Sequence, residues 1–110
     1  MRFEIVLAPN AARALQNLPA RIRGEVRDAL ERHLRFEPTK TSKSRIKRLR
    51  GLSQPQYRLR VNEIRVFYDV TETSIEILAI IEKQEAQAWL DKQGTPSAGG
   101  GPRRDQGRPL

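Results

Sequence analysis

The chain has no cysteine and a single histidine. Without a thiol there is no disulfide, no zinc–thiolate centre and no cysteine nucleophile, a composition that suits a reducing compartment. No apolar run approaches the ~18 residues of a membrane span. The opening MRFEIVLAPN has too short an apolar stretch for a signal peptide and no small-residue cleavage site, so the expected location is the cytoplasm. There is no internal repeat, and nothing in the sequence calls for a metal or other cofactor.

What the chain has is positive charge. Over 110 residues, 21 Lys and Arg face 13 Asp and Glu, a net +8. A surplus of that size points to a polyanion or an acidic protein as partner. From Gly94 the sequence runs GTPSAGGGPRRDQGRPL. This glycine- and proline-dense stretch lacks apolar periodicity and cannot offset its ordering entropy. It reads as a disordered tail over 94–110, which leaves one domain over 1–93. A domain of that size buries roughly 60–65% of its unfolded surface and needs consistent patterning to be stable.

The patterning is there. RFEIVLA, residues 2–8, alternates as a strand should. Asn10 is placed to cap a short helix from Ala11 to Leu18, and Pro19 ends it. The next helix is expected over Ala20 to Phe36. Its Ile22, Val26, Ala29, Leu30 and His33 form one apolar stripe. Opposite run the four-apart pairs Arg21–Glu25, Arg27–Glu31, Asp28–Arg32 and Glu31–Arg35. EPTKTSKS is a loop, and KSRIKRLRGL, 43–52, is a basic segment with spaced Ile46, Leu49 and Leu52. Two strands, 56–61 and 64–70, flank a two-residue turn at Asn62–Glu63, where Asn tolerates positive φ. IEILAIIEK, 75–83, is apolar on both faces, as expected of a central strand covered on both sides. QEAQAWLDKQ closes as a short helix with Ala86, Trp89 and Leu90 on one side. The order β-α-α-β-β-β-α implies an α+β fold, a small antiparallel-rich sheet with a helical hairpin on one face.

QYRLRVNEIRVFYDV, 56–70, then raises a question of chemistry. Tyr57, Leu59, Val61, Ile64, Val66 and Tyr68 share the core side, which leaves Arg58, Arg60 and Arg65 together on the other. Like charges side by side destabilise a sheet unless an anion lies between them. Guanidinium forks match phosphate oxygens, so a nucleic-acid backbone is the economical ligand. The alternative is that these arginines pair with Glu63, Asp69, Glu76 and Glu82.

With KRLRGL, YRLRVNEIRVFYDV and ILAIIEKQEAQAWL following a strand and a helical hairpin, residues 2–91 resemble the RelE/ParE superfamily of toxins from type II toxin–antitoxin modules. The resemblance implies a small sheet-based toxin neutralised by a cognate antitoxin. RelE-like members cut mRNA in the ribosome and ParE-like members poison DNA gyrase, so endoribonuclease activity, non-hydrolytic gyrase inhibition and a toxin relative with weakened catalysis all stay open. By the RelE-like pattern, Arg58, Arg60 and Arg65 match the basic residues that hold the scissile phosphate. Lys83 matches a further arginine, keeping its charge and losing its fork. Trp89 falls where the family has a proton-transferring tyrosine. An indole N–H is not a usable acid or base, and a large aromatic at helical spacing reads as a packing anchor. For proton transfer there remain Glu82, Glu85, Lys83 and Tyr57. His33 reads as a boundary residue of its helix. Lys43, Arg45, Lys47, Arg48 and Arg50 of the basic segment are candidate RNA contacts.

Overall fold

The structure, a computed structural model, describes residues 1–97. Its elements are β1 (Glu4–Leu7), α1 (Pro9–Asn17), α2 (Ala20–Ala29) with a π-helical turn over Leu30–Leu34, β2 (Ile46–Arg48), β3 (Leu52–Gln54), β4 (Tyr57–Val61), β5 (Ile64–Val70), β6 (Ser74–Glu82), α3 (Lys83–Gln93) and β7 (Thr95–Pro96). Five strands form a sheet in the order β1-β6-β5-β4-β2, parallel only between β1 and β6. The expected α+β arrangement is therefore present. Two pieces are added to it. The basic segment supplies β2, an edge strand against β4, and β3 pairs with β7 in a separate ribbon.

α1 and α2 cover one sheet face. Ala11, Leu15, Val26, Leu30 and Leu34 meet Leu59, Val61, Ile64, Val66, Tyr68, Ile75, Ile77 and Ile80 in one buried cluster. Burying a side chain of this kind contributes about 1.5–3 kcal/mol. Tyr68, fully buried, donates its hydroxyl to the Pro38 carbonyl at 2.6 Å and so ties the post-helical loop to the sheet. Burial, with Tyr57 beside it, pushes its ionisation well above the usual range.

Several local expectations need correction. Asn10 does not cap α1. Ala8 occupies the cap, Pro9 opens the helix where its missing N–H costs nothing, and Asn10 accepts a hydrogen bond from Arg13 instead. α2 ends as an α-helix at Ala29, short of the expected Phe36, and continues as the π-helical turn. Leu34, absent from the expected stripe, is the fully buried residue there, and His33 is half-buried. Arg27–Glu31 does not form because Glu31 turns to Arg35.

Residues 94–97 also leave the expected tail. Gly94 donates its N–H to the Leu90 carbonyl at 2.8 Å and Ser97 to Gly51 at 3.0 Å. A Cβ on Gly94 would lie 2.6 Å from the Leu90 carbonyl oxygen and 3.2 Å from the Leu52 side chain, so the contact between the end of α3 and β3 requires glycine. Residues 98–110 of the expected tail lie outside the described residues.

Candidate functional site

The second sheet face divides into two halves. The ladder registers align Lys47 with Arg58 and Arg58 with Phe67, which lies across from Ala79. In the next row outward, Arg60 lies across from Arg65 and Arg65 across from Ile81. The β5–β6 half is apolar and covered by α3, whose Trp89 stacks on Phe67 at 5.0 Å between ring centroids and 12° between planes. The β2–β4 half, with Arg65 at the hairpin end of β5, carries the cations. Trp89 is thus a packing anchor, as its spacing implied.

Hairpin geometry brings the arginines together. Asn62 adopts φ 53°, the left-handed region that Asn tolerates, and closes the two-residue turn between Val61 and Ile64. The Arg60 N–H points outward to the Arg45 carbonyl at 2.8 Å. Arg60 and Arg65 consequently form a non-hydrogen-bonded pair, the closer ladder spacing, with Cα atoms ~4.5 Å apart.

Each guanidinium is held differently. Arg65 is 9% exposed and donates Nη1 to the carbonyls of Asn62 (2.8 Å) and Ile64 (3.1 Å). Arg58 donates Nη2 to the Ser44 carbonyl at 3.0 Å, while its Nε is buried without a partner among the described residues. Burial lowers the Arg58 pKa, and the charges of Arg65 and Arg60 lower it further; an arginine remains cationic all the same. Arg60 is exposed, with no side-chain hydrogen bond among the described residues. Lys83, exposed, opens α3, and its N–H bonds the Glu63 carbonyl at 2.8 Å. It therefore sits at the same turn that holds Arg65.

No carboxylate among the described residues neutralises this group. Among the described residues the ion pairs are Arg21–Glu25, Arg32–Asp28, Arg35–Glu31 and Lys40–Glu37, all before β2. Pairing of the sheet arginines with Glu63, Asp69, Glu76 or Glu82 does not occur. Asp69 is buried and accepts from Gln54 Nε2 and the Gln56 N–H, each at 2.7 Å. It fastens the β3–β4 connection, a role its place at the end of RVFYD did not reveal. An unpaired buried donor beside two like charges has lost hydration without a counter-ion, which is the electrostatic state of an anion site.

The basic segment is split by the strand it forms. Lys47 joins the arginine face opposite Arg58. Arg48 turns to the other side, 5.3 Å over the Tyr57 ring, and donates to the carbonyls of Leu49 (3.1 Å) and Gln56 (2.7 Å). Lys43 and Arg50 line a groove with Lys47 and Arg48, and Arg45 lies in a cleft with His33. Tyr57 stacks on Tyr68 at 5.5 Å on the helical side, away from the arginines. Glu82 accepts from Gln84 Nε2 at 2.8 Å. Glu85 lines a groove with Trp89 and Ile81.

No family model matches the chain, and no curated protein does. Among solved structures, RelE in the archaeal RelE–RelB complex from Pyrococcus horikoshii is 30% identical, with a TM-score of 0.54 over 76% of this chain and 97% of that one. This chain belongs to the RelE-like toxins of type II toxin–antitoxin systems. The RelBE2 toxin–antitoxin complex from Mycobacterium tuberculosis shares the fold at TM-score 0.61 and 24% identity, over 74% of this chain and 99% of that one. The YoeB dimer from Staphylococcus aureus does so at 0.52 and 19%, over 72% and 94%. In this RelE-like toxin the helical hairpin and sheet are thus the family's own. Among its described residues no helix is long and apolar enough to cross a membrane.

Proposed function

We propose that this RelE-like toxin acts in the cytoplasm, inhibiting translation by cutting mRNA on the ribosome, and that a cognate antitoxin neutralises it. The observation that carries the reading is the unneutralised cluster of Arg58, Arg60 and Arg65, two of them anchored to main-chain carbonyls and one free to reach outward. Anchored guanidinium groups fixed before the substrate arrives suit a phosphate that gains charge as the 2′-hydroxyl attacks. Lys83 adds a cation at the same hairpin end. Lys43, Lys47 and Arg50 extend the positive surface over which RNA would run. The antitoxin partner is supported by the solved relatives, which include a RelE–RelB complex and RelBE2.

One observation favours a second reading. Trp89 is stacked on Phe67, Tyr57 lies on the far side of the sheet, and the only histidine lines a separate cleft with Arg45. A face that binds phosphate with no tyrosine or histidine beside it for proton transfer fits a non-hydrolytic inhibitor, such as one acting on DNA gyrase. The test sets purified ribosomes translating a defined mRNA beside gyrase-dependent DNA cleavage. The proposal expects mRNA cuts that require ribosomes and no gyrase-dependent breaks; the reverse pattern transfers the activity to gyrase.

A further inference from the structure

A second cationic concavity lies behind the β2 edge, at the end of the π-helical turn. Arg32 and His33 meet Glu37, Lys40, Ser42 and Arg45 around a cleft of about 160 Å³, several times the volume of a water molecule in the liquid. Its single acid is loosely engaged. Glu37 stands 3.8 Å from Lys40, and Asp28, the only partner of Arg32 among the described residues, is 3.5 Å away, with both pairs largely exposed. Such pairs contribute little and yield readily. Arg45 has no side-chain hydrogen bond or ion pair among the described residues. Its main chain, by contrast, is fixed: Ser42 Oγ accepts the N–H groups of Arg45 (2.9 Å) and Ile46 (3.2 Å).

The field in the cleft is positive. Burial lowers the His33 pKa, and the charges of Arg45 and Arg32 lower it further. The loop that forms one wall also touches the arginine face, because the Ser44 carbonyl, one residue before Arg45, accepts Arg58 Nη2. Two cation clusters thus flank a single short segment, one on each side of the sheet edge.

We propose that this cleft is a second phosphate-binding subsite, in which Arg32, His33, Lys40 and Arg45 take a backbone phosphate of the same single-stranded nucleic acid that the arginine face holds. The strand bends around the edge at residues 42–45, with one phosphate against Arg58 and Arg60 and another in the cleft. The subsite rests on the reading that the ligand is a nucleic acid. Arg32 and Arg45 supply bidentate donors, Lys40 a mobile charge, and His33 a ring nitrogen at the wall.

The test measures how affinity for single-stranded RNA depends on salt, using the full chain and the exposed-residue variants Arg45→Gln and Lys40→Gln, alone and combined. Thermal melts confirm that the variants fold. Removing one phosphate contact should flatten the salt slope by roughly 0.7 for a long oligonucleotide. An unchanged slope for the double variant overturns the subsite. So does a cleft that responds to inorganic phosphate in His33 and Arg45 resonances while long RNA leaves them unmoved. Arg60→Ala separates the two readings. If it lowers the slope and the cleft variants do not, the arginine face stands and the subsite falls. If Arg60→Ala and the cleft variants both lower it while translated mRNA stays uncut, the subsite stands and the proposed function falls.

Discussion

Arg60 and Arg65 lie directly across from one another in the β4–β5 ladder, and among the described residues neither pairs with a carboxylate. One is exposed and the other buried against the carbonyls of its own hairpin. Facing cations destabilise a sheet, so this pair works against the fold that carries it. The two arginines should therefore respond oppositely to mutation.

Removing Arg60 relieves repulsion and breaks no side-chain hydrogen bond among the described residues. Arg60→Ala should leave stability within about 0.5 kcal/mol of wild type, or slightly above it. Activity should fall by roughly 10²–10³, the loss typical of one donor at a developing oxyanion. Denaturant melts and single-turnover cleavage on ribosomes measure the two effects separately.

Arg65 should not be separable in this way. Strand alternation puts it on the side opposite the core with Arg58 and Arg60, yet it is buried. Arg65→Ala strands the Asn62 and Ile64 carbonyls that it now bonds, at a cost of about 1–3 kcal/mol. Arg65→Lys should recover part of the stability and less of the activity, because charge survives and the fork does not. Loss of activity in Arg65→Ala with unchanged stability would show that those carbonyl bonds contribute nothing.

Trp89→Phe should retain most activity, since a ring still stacks on Phe67. Trp89→Ala should destabilise, losing about 0.5–1.5 kcal/mol of ring pairing beyond the buried area. If Trp89→Phe abolished cleavage in a stably folded protein, the indole would have a chemical role that its stacking does not suggest.

His33 gives the fold a pH dependence of known sign. Burial, with Arg45 and Arg32 nearby, lowers its folded pKa below the ordinary 6.5. The unfolded chain therefore binds the proton more readily. Its contribution to stability is full above pH about 6.5 and falls away as pH drops toward the folded value. His33→Gln should remove that component from a plot of melting temperature against pH; a plot of unchanged shape would contradict it.

Two truncations isolate the ribbon of β3 and β7. Deleting residues 98–110 should leave the melting temperature nearly unchanged. Deleting 94–110 should lower it, because β7 and the close contact of Gly94 with Leu52 go with it. Equal melting temperatures for the two truncations would mean that the ribbon adds no stability.

Alternation and helical spacing are enough to read the helical hairpin, the β4–β5 turn and the central β6 from the sequence. Each of these elements depends on neighbours close in the chain. β2, β3 and β7 are not legible, for they are two or three residues long and owe their strand character to partners far away in sequence. Ile46 becomes strand only through Leu59, and Thr95 only through Gln54. The side of the sheet carrying Arg58, Arg60 and Arg65 emerges from parity alone. Parity does not reveal that α3 covers half of that side, or that Arg65 folds back on its turn. Nor does it separate Lys47 from Arg48, adjacent residues that the strand sends to opposite faces.

Primer extension on a translated mRNA after induced expression, comparing wild type with Arg60→Ala, tests the central claim most directly. If the arginine face holds the scissile phosphate, wild-type protein produces discrete cuts within the coding region, and the variant, equally abundant and equally stable, produces none. Cuts of equal intensity from Arg60→Ala, or growth arrest by the wild type without any cuts, would contradict it.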